Sequence, residues 1–290
     1  MFARIARGWG MAKASWAVLR QHPKLLLFPV FSGIAFLALI TVIGVSVFAG
    51  AESDYVRHAA QNARVDKPVI YALLFAFYFA ATFIIVFFNA ALIFCAMQCF
   101  AGHEPSLRAG IATAAGRLPQ ILAWTLLATT VGLVLNALEN FLKDKLGFVG
   151  ALLGGLGEAA WGVVTYFVVP VVVVDGVGPI EAVKRSSAIL RRTWGEALGG
   201  EGGLGIISFL LLLPIMLVVA LVISAGRGLM ADGAIAALLV AVIIPYVLAL
   251  AVVFAALGAI FRTGAYIYAT TGRAPSSMDP ALLQGAFRKK

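Results

Sequence analysis

The sequence predicts an all-α membrane protein with six transmembrane helices and amphipathic helices that lie along the cytoplasmic membrane surface. The first observation is composition: of 290 residues, 62% are hydrophobic and 12% are charged. A soluble domain is about half apolar and a quarter charged. A soluble fold could not bury this much apolar side-chain surface, whereas a lipid bilayer accommodates it.

The second observation is a series of six apolar runs. Crossing a hydrocarbon core of about 30 Å requires roughly 20 helical residues, and every run reaches that length. The runs cover residues 25–49, 69–99, 119–138, 150–174, 203–225 and 234–261. Pro214 and Pro245 lie inside the last two runs, and we expect each to kink its helix because proline has no N–H to donate.

The distribution of basic residues predicts the orientation. Of the 22 Lys and Arg residues, 16 lie in the N-terminal segment, the second and fourth loops and the C-terminal tail, and 6 lie on the opposite side. Because Lys and Arg accumulate in cytoplasmic segments, both termini are predicted to be cytoplasmic. The net charge of +9 then indicates contact with anionic lipid head groups at the cytoplasmic face, not with nucleic acid.

Two patterns indicate an internal repeat. The motif G-x-x-P follows each even-numbered run, at 102–105, 176–179 and 272–275, where glycine suits a left-handed helix end and proline suits the next helix start. At a constant offset of 171, Lys13, Ser15, Ala17, Val18, Leu19 and Arg20 correspond to Lys184, Ser186, Ala188, Ile189, Leu190 and Arg191. The single domain 1–290 is therefore predicted to contain three repeated helix-hairpin units, 1–102, 103–176 and 177–275, each with a surface helix and two spans.

Two cytoplasmic segments have the pattern of an interfacial helix. In the first, one apolar stripe contains Phe2, Ile5, Trp9, Ala12, Trp16 and Leu19. In the second, one side contains Ile180, Val183, Ser187, Leu190, Trp194 and Leu198. We expect ion pairs from Glu181 to Lys184 or Arg185, and from Arg192 to Glu196.

These surface helices have two interpretations. They either cover the membrane surface, or they form a docking surface for anionic lipid or for a protein partner, which could be another copy of the chain. The candidate docking surface consists of Trp9, Lys13, Trp16, Arg20, Lys184, Arg185, Arg191, Arg192 and Trp194.

Polar residues inside a membrane are costly, so two of them are candidate functional residues. Asn89 lies in the second run and either hydrogen-bonds between helices or lines a path. Glu158 follows Gly150-x-x-x-Gly154, a spacing that permits close helix contact. Glu158 is either a partly buried carboxylate that binds a proton or an ion, or an interface residue if the fourth span starts near Ala159.

No catalytic, cofactor or metal site is predicted. Cys95, Cys99 and His103 share one helical face, but on a straight helix they extend over about 12 Å, too far for one ion. The enzyme motifs H-E-x-x-H, G-x-x-x-x-G-K-[ST] and G-x-S-x-G do not occur in the sequence. We therefore expect a protein that is not an enzyme.

Three stretches resemble a known family. They are WAVLR with LLLFPV at 16–20 and 25–30, FFNAAL at 87–92, and VPVVVVDG with GPIEAVKRS at 169–176 and 178–186. Together they resemble an uncharacterised bacterial family of multi-span proteins, a domain of unknown function, which implies a bacterial inner-membrane protein. The last stretch is also similar to loops in the membrane domain of some glycerophosphodiester phosphodiesterases, whose catalytic domain has no counterpart here. The resemblance implies no activity and no functional residues.

Two functions are consistent with these observations. The first is a non-enzymatic scaffold or accessory subunit whose basic cytoplasmic face contacts lipid or a protein partner. The second is a transporter or channel for a lipid-like or small amphiphilic molecule, which would use Asn89, Glu158 and the two prolines within the spans.

Overall fold

The computed structural model describes residues 13–52, 67–192, 208–214, 216 and 233–272. All regular elements in these ranges are helices. Residues 13–21 and 208–214 are helical, and Pro23–Leu26 form a 3₁₀ turn. The remaining helices are α1 (Leu27–Glu52), α2 (Lys67–Phe100), α3 (Leu107–Gly116), α4 (Leu118–Leu146), α5 (Phe148–Val164), α6 (Val168–Asp175), α7 (Pro179–Arg192) and α8 (Gly233–Thr271).

Five helical stretches within the described ranges are long and apolar enough to cross a membrane. They are Pro23–Ser46, Pro68–Phe100, Leu118–Leu146, Phe148–Asp175 and Ala241–Thr271. They match five of the six predicted runs and support a multi-pass membrane protein. The remaining run, 203–225, lies mostly outside the described residues, so a sixth span stays a prediction.

The chain forms two compact units. The first unit contains Leu27–Cys95 and Ser106–Arg191. The second unit contains the described parts of Met1–Leu26, Ala96–Pro105 and Arg192–Lys290.

In the first unit, α1 and α2 pack as an antiparallel pair through aromatic side chains. The ring centroids of Phe31 and Phe88 lie 6.3 Å apart, and those of Phe36 and Phe77 lie 6.4 Å apart. Large apolar side chains elsewhere on both helices are exposed. In water that surface would be unfavourable, whereas in a bilayer it contacts lipid tails.

The hairpin of α4 and α5 turns through a single residue, Gly147, whose φ is 58°. Gly150 and Gly154 are buried against α4: a Cβ at Gly150 would overlap the carbonyl of Leu142, and a Cβ at Gly154 would overlap Glu139. The close contact expected from the Gly150-x-x-x-Gly154 spacing is present. Because α4 and α5 pack this closely, the single residue Gly147 connects them, whereas the sequence predicted a longer outer loop between the third and fourth runs.

The short helix α3 packs on α2. A Cβ at Gly110 would lie 2.7 Å from Cys95 Sγ, 2.9 Å from Phe28 Cζ and 3.0 Å from the Ala91 carbonyl oxygen. The Cys95 thiol also donates to the carbonyl of Ser106 over 3.4 Å. The small residues of this helix therefore allow it to pack closely on α2.

In the second unit, the turn Pro23–Leu26 contacts α8. Val18, Leu19 and Leu25 are buried there, as are Ile260 and Phe261 of α8. This contact joins the start of the described chain to its last helix. Arg262, which the sequence assigned to the C-terminal tail, is half-buried inside α8. Removing it from the cytoplasmic count does not change the asymmetry of basic residues.

Three of the four glycines with positive φ in the described ranges belong to the G-x-x-P motifs. They are Gly102 (φ 80°), Gly176 (φ 63°) and Gly272 (φ 70°). Each follows the end of a helix, where a residue with Cβ would be strained. The sequence prediction that these glycines end helices in a left-handed conformation is confirmed.

The side chains that the two amphipathic segments bury within the protein are not the full apolar stripes, and the predicted contact of those stripes with the membrane stays a prediction. In residues 13–21 the buried side chains are Ser15, Val18 and Leu19, whereas Trp16 is exposed. In α7, Ile180 is exposed although it was expected beside Leu190. Each segment also buries a serine, Ser15 or Ser186, that is not part of its predicted apolar stripe. The face that packs against the protein therefore differs from the apolar stripe.

Helix α8 continues through Pro245 without interruption. Pro214 lies in the described stretch 208–214, and the next described residue, 216, is also helical, so the expected kink there stays a prediction. The interruption that does occur within a described span lies before Pro170, a position at which the sequence analysis expected none.

Candidate functional site

The candidate site is built around the interruption of the fourth span, between α5 and α6. Residues 165–167 form a turn there. Pro170 lies in the first turn of α6 and has no N–H to donate to the carbonyl four residues earlier, so one helical hydrogen bond is missing at this point of the span. The interruption leaves backbone groups without their usual helical partners, and inside a membrane such groups must be satisfied by the protein.

Ser186 of α7 satisfies two of these groups. Val168 donates its N–H to the carbonyl of Thr165 (3.0 Å) and not to that of Val164. The Ser186 hydroxyl instead donates to the Val164 carbonyl over 2.7 Å and accepts from the Phe167 N–H over 3.0 Å. Ser186 and Phe167 are fully buried. A single side chain of the surface helix therefore completes the backbone hydrogen bonding of the span.

The end of α6 is capped by two residues at the start of α4. Arg117 donates from Nε to the carbonyl of Val173 (3.4 Å) and from Nη2 to that of Val174 (3.5 Å). Gln120 donates to the carbonyl of Gly176 over 3.2 Å. The last carbonyls of a helix lack intrahelical donors and carry partial negative charge. A cation at this position therefore stabilises the helix end.

Arg185 is held by two carboxylates. Its Nη1 lies 2.8 Å from Asp175 Oδ2, and its Nε lies 3.0 Å from Glu181 Oε1. Hydrogen bonds to Asp175 and then Glu181 raise the pKa of the Arg185 guanidinium above its ordinary value. The expected pair of Glu181 with Arg185 is confirmed. The pair is exposed to solvent, so its contribution to stability is small, but it compensates the Arg185 charge.

Other basic residues of the predicted surface have no such compensation. Lys184 and Arg191 of α7 are exposed, and so are Lys13 and Arg20 in the second unit. None of the four forms an ion pair within the ranges that the structure describes. The side chain of Trp16, between Lys13 and Arg20, is 44% exposed. Trp9, Trp194 and the expected partner Glu196 lie outside the described residues, and Arg192 is the last residue of α7.

The two intramembrane candidates lie apart from this site in the sequence. Asn89 is half-buried in α2, eleven residues before the helix ends at Phe100. Glu158 is exposed on α5, ten residues after that helix begins at Phe148. The sequence favours an outer-interface position for Glu158 over a buried carboxylate that binds a proton or an ion, and both interpretations stay predictions.

Sequence reasoning missed three residues that organise this site: Pro170, Ser186 and Arg117. Pro170 carried an available signal, because it interrupts an apolar run and removes a backbone donor. Ser186 was noticed only as part of the offset match. No local signal assigned Arg117 to the end of α6, because that contact joins residues more than fifty positions apart.

The fold is thus that of a membrane protein whose surface helices pack on the ends of its spans. The chain belongs to a family of unknown function (DUF6159), whose family model matches residues 68–276. No curated protein and no solved structure gives a significant match. The match begins after α1 and extends from α2 to α8. It includes the interruption at 165–167 and Ser186, which hydrogen-bonds to it.

Proposed function

We propose that this chain is a non-enzymatic scaffold or accessory subunit of the bacterial inner membrane. The proposal includes six spans, cytoplasmic termini and a basic cytoplasmic face that contacts lipid or a protein partner. The observation that carries it is a set of exposed basic residues that form no ion pair with the described part of the chain, Lys13, Arg20, Lys184 and Arg191. Uncompensated charges at a membrane surface favour anionic lipid or an acidic protein surface.

The proposed architecture contains three related units. The left-handed glycines at 102, 176 and 272 end the proposed inward helices in the same way. Within the compact unit that contains Leu27–Cys95 and Ser106–Arg191, α3 packs on α2, and α7 packs on the helix formed by α5 and α6. Within the other compact unit, Pro23–Leu26 contact α8. A surface segment packing on the end of an inward span is the shared arrangement that supports the repeat.

Native mass spectrometry after gentle extraction from the native membrane tests the proposed function. We expect the chain to be released with another polypeptide or as a defined oligomer. The variant with Arg191→Gln and Arg192→Gln should weaken that assembly while the protein stays folded. A stoichiometric small molecule bound to an otherwise isolated chain would contradict the scaffold function.

A transporter or channel for a lipid-like or small amphiphilic molecule is the second candidate. It is favoured by the interruption at 165–167, because discontinuous spans are frequent at transporter binding sites. Substitution of Asn89 and Glu158, as Asn89→Ala and Glu158→Gln, separates the two functions. A transporter should lose flux in vesicles and remain folded, whereas a scaffold should lose stability or assembly and carry no flux.

A further inference from the structure

The two segments related by the offset of 171 share more than residue types. Ser15 and Ser186 are both fully buried, and so, nearly, are Leu19 and Leu190. Three other matched positions are exposed in both copies: Lys13 and Lys184, Ala17 and Ala188, and Arg20 and Arg191. Each copy therefore presents an exposed stripe with the order Lys, Ala, Arg, defined by residues 13, 17 and 20 in one case and 184, 188 and 191 in the other.

Packing accounts for the buried matches and not for the exposed ones. The serine and the leucine are buried in both copies, so packing within the protein accounts for their match. An exposed position on a helix tolerates many polar residues with little effect on stability. The same cation at the same two exposed positions of both copies therefore indicates a shared ligand.

The charges of these stripes indicate what that ligand is. Lys184 is adjacent to Arg185, yet among the residues that the structure describes the carboxylate partners are those of Arg185, not of Lys184. Lys and Arg seven residues apart lie about 10 Å apart along a helix, and the alanine between them leaves room for a head group to approach the backbone. An exposed apolar side chain accompanies each stripe: Trp16 is 44% exposed and Ile180 is 66% exposed. Basic and apolar groups side by side are typical of a helix at an anionic membrane surface.

Helix α3 provides an internal contrast. At the corresponding place relative to its G-x-x-P motif it has Gly110, Ala114 and Arg117. Gly110 and Ala114 are buried, and Arg117 caps α6. This third segment therefore has a structural role only and presents no exposed stripe.

We propose that the two Lys-Ala-Arg stripes are equivalent binding sites for the phosphate groups of anionic phospholipids. This inference rests on the proposed function, since it names lipid as the partner of the basic face. It differs from a general attraction of positive charge because it assigns two sites of equal composition and excludes Arg185 and α3.

The test measures lipid binding to the full-length chain by native mass spectrometry in detergent, with phosphatidylglycerol and phosphatidylcholine as probes. We expect two retained phosphatidylglycerol molecules for the unaltered chain. The double variant Lys184→Gln and Arg191→Gln should lose one, and Lys13→Gln with Arg20→Gln should lose the other. Each lost site should show roughly a 30-fold weaker affinity, from two basic residues near a charged surface.

Two controls make the outcome specific. Lys143→Gln with Lys145→Gln removes the same charge at the exposed end of α4 and should leave both lipids bound. Lys184→Arg with Arg191→Lys retains charge and should retain binding. Unchanged phosphatidylglycerol binding in both stripe variants, equal binding of phosphatidylcholine, or equal loss in the Lys143 and Lys145 variant overturns the inference.

The failure of this inference is distinguishable from failure of the proposed function. If the stripe variants bind lipid normally but lose a co-purifying polypeptide or an oligomer, the stripes bind protein, so the lipid assignment is wrong and the scaffold function stands. If they lose neither lipid nor assembly, both proposals fail.

Discussion

Ser15 and Ser186 occupy matching positions at the residue scale, yet their hydroxyl groups do different things. Both side chains are fully buried. Ser186 Oγ makes two hydrogen bonds to the interrupted span, whereas Ser15 Oγ makes none to the described residues. A buried hydroxyl without a partner is unfavourable, while loss of a partner for a buried backbone group is costly.

Replacing Ser186 by alanine should therefore destabilise the protein, and replacing Ser15 should not. Ser186→Ala removes the hydrogen bonds that the hydroxyl makes to the Val164 carbonyl and the Phe167 N–H, at a cost of about 2–4 kcal/mol in unfolding free energy. Ser15→Ala should change it by no more than about 0.5 kcal/mol, or stabilise. Thermal unfolding of both variants in one detergent provides the comparison. Equal effects would mean that the hydrogen bonds of Ser186 have no special importance.

Glycines of the G-x-x-P motifs give a second prediction at this scale. Gly176→Ala places a Cβ in the left-handed region and against the Arg117 guanidinium, so it should cost more than the roughly 1–2 kcal/mol of the backbone strain alone. Gly102→Ala, which has open space around its Cβ, should cost only that strain. Gly178→Ala is the matched control, with open space and no positive φ, and should be nearly neutral. A neutral Gly176→Ala would contradict the observed cap.

At the scale of elements, the sequence predicted those features that depend on local spacing. The Gly150-x-x-x-Gly154 contact, the glycine helix ends and the Glu181–Arg185 pair all follow from residues within one or two helical turns. The buried face of α7 was not predictable in this way, because it depends on a serine that pairs with a span about twenty residues earlier. The kink was expected at Pro214 and Pro245, whereas the described interruption lies before Pro170.

The α4–α5 hairpin should be sensitive to added volume on only one side of α5. Gly154→Ala puts a methyl group into Glu139, including its backbone, and should cost about 1–3 kcal/mol through overpacking. The neighbouring Gly155→Ala meets open space and should stabilise the helix by up to about 1 kcal/mol. Thermal unfolding distinguishes the two. If Gly155→Ala proved the more damaging, the hairpin contact would be assigned to the wrong face.

At the scale of the whole molecule, composition and run length predicted a multi-span membrane protein, and the five long apolar helices of the described ranges agree with it. The number of spans and the orientation depend on segments outside the described residues and on a membrane, so they stay predictions. The docking surface was predicted in part. The sequence identified its basic residues, but the structure was needed to show that, among the described residues, Arg185 pairs with two carboxylates and Lys184 and Arg191 do not.

Reporter fusions test the orientation and the sixth span together. Alkaline phosphatase, which is active only outside the cytoplasm, should be active when fused at the turn after Leu146. A fluorescent protein fused after Lys290 should be fluorescent, because six spans return the chain to the side on which it began. Active phosphatase at both positions would mean that the run 203–225 does not cross the membrane.

The Ser186 contact makes one amide proton of the span an indicator of what the surface helix does. The Phe167 N–H can exchange with deuterated solvent only when Ser186 moves away, so its exchange rate measures how often α7 separates from the span. A ligand that binds the exposed side of α7 in its packed position should slow that exchange, although it touches no residue of α5 or α6. An event at the membrane surface would then be detectable, by hydrogen exchange at one backbone position, about 12 Å from the end of the span.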